Sequence, residues 1–141
     1  MKTIRAERSR KTEKLISDPG RIRDRIIEKS LQLETLQAIS SPIPGGKVKK
    51  SIDPDKVVNI VIKRQQVMQE IQKLETEYQT AKRALYQATD GLPEVQGYII
   101  MAMYGAHLTA DQVAARLGKS KSYVFKQRAA GIKALEARAR G

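Results

Sequence analysis

Residues 108–128 read LTADQVAARLGKSKSYVFKQR, and this stretch decides which kind of fold the chain forms. Thr109 stands three residues before Gln112, which is the spacing of a capping box that begins a helix. Gly118 can end this helix in a left-handed conformation, and Ser120 can cap a second helix two residues later. The stretch therefore predicts two helices joined by a very short turn.

The residues expected where these two helices cross also fit a steep turn. Ala114 is small enough to let the helices approach, and Val124, ten residues later, can wedge between them. The sequence therefore predicts a helix-turn-helix whose second helix covers about residues 120–137. An ordinary helical hairpin is the alternative interpretation.

The second helix carries basic and polar side chains at its beginning. In helix-turn-helix units this helix lies in the DNA major groove, with its first residues at base edges and lysines or arginines on phosphates. Ser and Gln can recognise bases, and an exposed Phe can contact thymine methyl groups. Solubility is the alternative explanation for the lysines. The candidate DNA-binding residues are Lys119, Lys121, Ser122, Tyr123, Phe125, Lys126, Gln127 and Arg128.

Upstream of this motif, residues 54–89 have the clearest helical pattern in the chain. Asp53 is a candidate N-cap, and Pro54 suits the first helical position, where its missing N–H does no harm. Apolar residues then recur at alternating steps of three and four, which predicts coiled-coil-like packing along one seam. The seam consists of Val57, Ile60, Arg64, Val67, Ile71, Leu74, Tyr78, Ala81, Leu85 and Ala88.

A shorter amphipathic helix is predicted at residues 20–39, between a Pro-Gly break at 17–20 and a Pro- and Gly-rich linker at 40–53. We expect it to fold back antiparallel on residues 54–89. At about 1.5 Å per residue it reaches only about half of the seam. A homodimer through the 54–89 helix, or else the C-terminal domain, is expected to cover the remaining seam residues, which are Leu74, Tyr78, Ala81 and Leu85.

The predicted fold class is all-α: a long antiparallel helical hairpin followed by a C-terminal helix-turn-helix domain. Aromatic residues make up only 4% of the chain, which is too few for a β-sandwich or barrel. The expected domains are a basic N-terminal arm at 1–17, the hairpin at 18–90 and the DNA-binding domain at 91–141. The arm is either disordered or binds the DNA backbone through Arg5, Arg8, Arg10, Lys11 and Lys14.

Composition excludes most enzymatic chemistry. The chain has no cysteine and one histidine, which leaves no thiolate zinc site and no histidine cluster. His107 has no nucleophile motif beside it, and neither Gly-Lys pair fits a phosphate-binding loop. We therefore expect no catalytic residue, no metal and no cofactor. No signal peptide or apolar span is recognisable, so a cytoplasmic, nucleoid-associated protein without a membrane partner is expected.

The net charge points to a polyanionic partner. Lys and Arg number 27 against 15 Asp and Glu, a surplus of +12, and the two ends of the chain are basic while the middle is nearly neutral.

A resemblance to a known family adds to these patterns. The run from Leu108 to Ser120, with Val124 and the segment 132–135, resembles the promoter-binding C-terminal region of bacterial sigma factors. The layout over residues 20–137 is similar to short phage and prophage sigma-like regulators, including ArpU-type late transcription regulators. The resemblance implies binding of double-stranded DNA, control of phage transcription in a bacterial host, and host RNA polymerase as a further partner. Its matching DNA contacts are Lys121, Ser122, Tyr123, Lys126 and Arg128.

Two positions depart from the pattern of that family. Gln127 stands where an aliphatic residue usually packs, and Gly131 stands where Ala is usual. A glycine inside a helix costs about 1 kcal/mol relative to alanine. The second helix is therefore expected to be bent or closely packed at Gly131.

Two other functions fit the same patterns. One is a phage DNA-packaging protein similar to a small terminase subunit, in which a helix-turn-helix and a helical hairpin build a ring. The other is an adaptor whose long helix docks on RNA polymerase and whose basic ends only add solubility.

Overall fold

The computed structural model describes the backbone of residues 2–40 and 54–138 and the side chains of residues 10–39 and 54–138. Within these ranges the protein is all-helical, as predicted, and has no strand. Residues 41–53 of the expected linker, including the candidate cap Asp53, lie outside the described residues. The elements are α1 (Lys2–Ser40), α2 (Pro54–Thr89), α3 (Glu94–Ile100), a π-helical turn (Met101–Gly105), α4 (Ala110–Leu117) and α5 (Lys121–Arg138).

α1 is much longer than the sequence predicts. The expected break at residues 17–20 is wrong, because the helix runs from Lys2 to Ser40 with Pro19 inside it. A proline within a helix removes a backbone hydrogen bond and costs about 3 kcal/mol or more. Burial compensates for this cost, since the Pro19 side chain is fully buried and Leu15 nearby packs on an apolar cluster.

The chain forms two compact units. One consists of Met1–Arg21 and Tyr78–Gly141, and the other of Ile22–Glu77. The first half of α1 therefore belongs to the same unit as α3, α4 and α5. The expected arm is a helical part of the C-terminal unit rather than a separate segment.

The unit Ile22–Glu77 combines the second half of α1 with the first part of α2. Ile22 and Leu36 on α1 are buried, as are Val67 and Leu74 on α2. The two helices are adjacent at mid-length, where Lys29 Nζ lies 2.8 Å from Glu70 Oε2. Large apolar side chains remain exposed in this unit, among them Ile27, Leu31, Val58, Ile62 and Met68.

The other unit has two apolar clusters that share α3. In the first, Leu85 of α2 is buried with Ile100 of α3 and Leu135 of α5, and Leu15 and Ile16 of α1 pack against them. The second cluster consists of Ile99, Ala102, Ala110, Val113, Ala114 and Val124.

These contacts change the expectation for the far half of the seam. Leu74 and Leu85 are buried within one chain. α1 and α5 both contribute side chains to the cover of Leu85. The cover of Leu85 thus includes α5, as the second of the two sequence-based alternatives predicts, and the homodimer stays a prediction.

Candidate nucleic-acid interface

The start of α4 has the predicted capping box. The Thr109 hydroxyl accepts a hydrogen bond from the Gln112 N–H at 3.2 Å. The Thr109 N–H donates to Gln112 Oε1 at 2.9 Å. Two backbone groups at the helix end are thereby satisfied without tertiary contacts. This prediction from the sequence is confirmed.

The connection between α4 and α5 is also as predicted. Gly118 has φ 63° and ψ 34°, the left-handed conformation that glycine adopts without steric cost. The Lys119 N–H closes the turn on the Ala114 carbonyl at 3.1 Å. Ser120 Oγ accepts a hydrogen bond from the Tyr123 N–H at 3.1 Å and so caps α5.

The core beneath this connection brings the predicted crossing residues together. Ala114 and Val124 belong to one buried cluster with Val113 and Ile99, and Val113, Val124 and Ile99 are fully buried. Each fully buried Val or Ile side chain contributes about 1.5–3 kcal/mol to folding. The positions of α4 and α5 are therefore set by a packed core.

Gly131 and Gln127 both face α3. A Cβ atom at Gly131 would lie 2.7 Å from Ile100 Cδ1, so of the two expected alternatives, a bend or close packing, the structure has close packing. Gln127 is half-buried, and its Oε1 accepts a hydrogen bond from Gln96 Nε2 at 3.3 Å. This hydrogen bond engages the amide oxygen of Gln127 with α3, and the DNA contact of Gln127 stays a prediction.

The remaining candidate residues line the beginning of α5 and the turn before it. Lys119, Lys121, Ser122 and Lys126 are exposed, whereas Tyr123 and Arg128 are half-buried. The structure thus leaves four polar side chains at this end of α5 accessible to a ligand.

Phe125 is exposed in the middle of this basic surface. Its side chain is 38% exposed. The Arg128 guanidinium lies 4.8 Å from the ring centroid, and Lys121 Nζ lies 5.8 Å from it. Lys119 Nζ similarly lies 5.6 Å from the Tyr123 ring. Such cation–π contacts hold an aromatic ring and its neighbouring charges in a defined arrangement.

One acidic residue borders the surface. Asp111 Oδ1 of α4 lies 3.5 Å from Lys121 Nζ, and both side chains are more than half exposed. An exposed pair of this kind contributes at most about 1 kcal/mol. Lys121 can therefore exchange this partner for a stronger anion.

A contact that the sequence does not predict holds the segment before α4. Tyr78 OH of α2 lies 2.8 Å from His107 Nε2, and the two rings are stacked with centroids 6.0 Å apart. His107 has φ 61°, which is uncommon for a residue other than glycine. The apolar seam signals that Tyr78 is inward-facing, but it does not identify His107 as the partner.

Lys133 is not among the candidate residues that the sequence predicts. It is exposed and lies seven residues after Lys126, two helical turns further along the same face of α5. Helical periodicity alone could have placed it on that face.

The surplus of positive charge is concentrated in the unit that contains α5. By sequence, Met1–Arg21 and Tyr78–Gly141 together carry 17 basic and 7 acidic residues, whereas Ile22–Glu77 carries 10 and 8. This unit therefore holds +10 of the net charge of +12. A concentrated surplus of this kind attracts polyanions more strongly than an evenly spread one.

Comparisons with known proteins leave the function to be inferred from the site itself. No protein-family model, curated protein or solved structure matches the chain. Among the described residues, no group of three or more His, Asp or Glu side chains could hold a metal ion. The described helices also include none that is long and apolar enough to cross a membrane.

Proposed function

We propose that the protein is a sequence-specific regulator that binds double-stranded DNA, of the phage or prophage sigma-like type, with α4 and α5 acting as a helix-turn-helix. The main support for this proposal is the left-handed turn at Gly118, which joins two capped helices. These helices pack over one core, and the basic start of α5 stays exposed. This is the arrangement in which a second helix enters the major groove.

The exposed side chains suggest a division of roles. Ser122 and Lys126 lie on the side of α5 opposite its buried residues, so they are the candidates for base contacts. Lys119 and Lys121 stand at the turn, where phosphate contacts position such a helix. Arg128 is half-buried beside Phe125 and is a candidate for either kind of contact.

The first test is DNA binding titrated across salt. The probe is a duplex selected by the wild-type protein from a random pool, and the variant is Lys126→Ala with Arg128→Ala. We expect weaker binding and a salt slope reduced by about 0.9 for each lost phosphate contact.

The matched control removes two exposed charges from the other unit, with Lys63→Ala and Lys73→Ala. It should keep the wild-type slope. Absence of wild-type binding to any duplex at low salt would overturn the proposal. Equal salt slopes for both double variants would show that α5 is not the DNA-binding site.

Mass in solution separates the remaining candidates. A regulator is expected as a monomer or dimer, whereas a ring of eight or more subunits would favour the packaging protein. An adaptor to RNA polymerase would bind no DNA even at low salt. Light scattering with and without the selected duplex measures all three outcomes together.

A further inference from the structure

A row of uncharged side chains lies on one exposed face of α2, within the unit Ile22–Glu77. Its members recur at steps of three and four from residue 58 to residue 72, so they share one face of the helix over about 21 Å. All of them are exposed. We call this row the α2 stripe, and it consists of Val58, Val61, Ile62, Gln65, Met68, Gln69 and Gln72.

The α2 stripe differs from the seam that packs within one chain. Val58, Val61 and Met68 each follow a seam residue by one position, which turns them by about 100° around the helix. The seam residues Val67 and Leu74 are buried, whereas the apolar members of the stripe are 41–54% exposed. The stripe is therefore a second apolar face of α2, and this face is open to solvent.

The charged side chains of this part of α2 lie on other faces of the helix. Lys63, Glu70 and Lys73 are exposed, but they are off the stripe. The stripe itself has no charged member, although charged residues make up 30% of the chain. Contiguous exposed apolar surface marks sites of interaction in proteins. The pattern therefore indicates a docking surface for an uncharged, partly apolar face.

The α2 stripe is complementary to itself, which favours a second copy of this chain as its partner. In a two-fold interface the same patch faces its copy, and a residue at the axis meets itself. Gln65 is the midpoint of the stripe, which extends seven positions to either side of it. A glutamine amide has both donors and an acceptor, so two copies can hydrogen-bond to each other, whereas two lysines or two glutamates would repel.

The charge of the whole unit also permits self-association. By sequence, Ile22–Glu77 carries 10 basic and 8 acidic residues, so two such units approach each other with little net repulsion. A helix of a different protein is the other occupant that an apolar helix face can take. Charge pairs commonly select such partners, and the stripe offers none. A second copy fits the surface better.

We infer that the α2 stripe is a homodimer interface, in which α2 of one copy packs against α2 of a second copy with Gln65 at the two-fold axis. This surface is distinct from the far half of the seam, for which the sequence left a second subunit open. The inference goes beyond the proposed function and does not depend on it. Because each copy contributes one helix, the dimer is weak and forms only at high protein concentration.

The first test measures mass by light scattering, without DNA, from about 2 to about 200 µM protein. The wild type should change from monomer to dimer over this range. Ile62→Lys should weaken the dimer by about tenfold or more, because it places a charge in an apolar contact. The matched control is Leu31→Lys on α1, since Leu31 is 57% exposed and Ile62 is 47% exposed in the same unit.

The control should dimerise like the wild type. Both positions are exposed, so circular dichroism and thermal melting should show unchanged folding for both lysine variants.

The second test uses the midpoint of the stripe. Gln65→Glu and Gln65→Lys should each dimerise about tenfold more weakly than the wild type, because like charges then meet at the axis. An equimolar mixture of these two variants should dimerise better than either alone, because opposite charges meet. Gln66 is exposed and off the stripe, so Gln66→Glu and Gln66→Lys should behave like the wild type, alone and mixed.

Four results would overturn the inference. A wild type that stays monomeric at about 200 µM would exclude the second copy and leave the stripe to another partner. Equal dimerisation of Ile62→Lys and Leu31→Lys would show that the dimer uses another surface. A mixture of the two Gln65 variants that dimerises no better than either alone would show that Gln65 does not meet its copy.

The fourth result is a ring of eight or more subunits, which would replace the two-fold contact and would also favour the packaging protein. The other three results leave the proposed function standing, because none of them involves DNA.

Discussion

Gly131 of α5 lies so close to Ile100 of α3 that a Cβ atom on the glycine would come within 2.7 Å of Ile100 Cδ1. Ile100 is fully buried with Leu85 and Leu135, so its side chain has little room to move. Glycine has a lower helix propensity than alanine, but at this position it permits the close contact with Ile100. One residue thereby decides how near α5 approaches α3.

Replacing Gly131 by alanine should destabilise the protein by about 1 kcal/mol. Overpacking a core costs about 1–3 kcal/mol, and the better helix propensity of alanine returns about 1 kcal/mol. The measurement is the free energy of unfolding in urea. The control is Gly20→Ala, because nothing lies within 4 Å of a Cβ there, and it should stabilise α1. A stabilising Gly131→Ala, or no relief in an Ile100→Val background, would contradict this explanation.

Replacing Thr109 by alanine should cost about 1 kcal/mol of folding free energy, because it leaves the Gln112 N–H without its side-chain partner. Thr109→Ser keeps the hydroxyl and should lose far less. Thermal unfolding of both variants measures the difference. If serine and alanine behave alike, the cap contributes nothing to stability.

Replacing Tyr78 by phenylalanine removes the hydroxyl that lies 2.8 Å from His107 Nε2. We expect a loss of about 1 kcal/mol, the usual net value of one hydrogen bond. Tyr86, which is 64% exposed, offers the matched control Tyr86→Phe, and this variant should unfold like the wild type. Equal unfolding free energies for the two variants would show that the contact contributes no stability.

If α5 lies in the major groove, Phe125 should contact the methyl group of a thymine, so that binding distinguishes thymine from deoxyuridine. Replacing each thymine of the selected duplex in turn by deoxyuridine removes only that methyl. We expect about fourfold weaker wild-type binding at one position, since burying one methyl-sized group contributes about 0.8 kcal/mol. Phe125→Ala should lose this sensitivity.

The control for Phe125 is Tyr98→Ala on α3, because Tyr98 is 39% exposed, close to the 38% of Phe125. This variant should keep the sensitivity to deoxyuridine. If the wild type tolerates every deoxyuridine, or if Phe125→Ala remains as sensitive as the wild type, the ring does not contact a thymine methyl.

Features that depend on a few consecutive residues were predictable. The capping box at Thr109, the left-handed Gly118 and the cap at Ser120 all involve partners within four residues, so their spacing is visible in the sequence. The α2 seam was predictable in part for a similar reason, since Val67, Leu74 and Leu85 repeat with the period of a helix and are buried, whereas Val57 at the start of the seam is 40% exposed. The start of α1 at Lys2 and the hydrogen bond of the Gln127 side chain with Gln96 were not predictable in this way.

The sequence by itself determined the helical class, the ends of α4 and the basic character of α5, because propensity, capping and charge are local properties of the chain. Only the tertiary structure decided that α1 continues through Pro19, that Leu15 joins the core of α5, and that Gln127 faces Gln96. Each of these outcomes depends on burial against residues distant along the chain. Burial of apolar area outweighs a local penalty of a few kcal/mol, and the pattern of neighbouring residues does not reveal where that burial occurs.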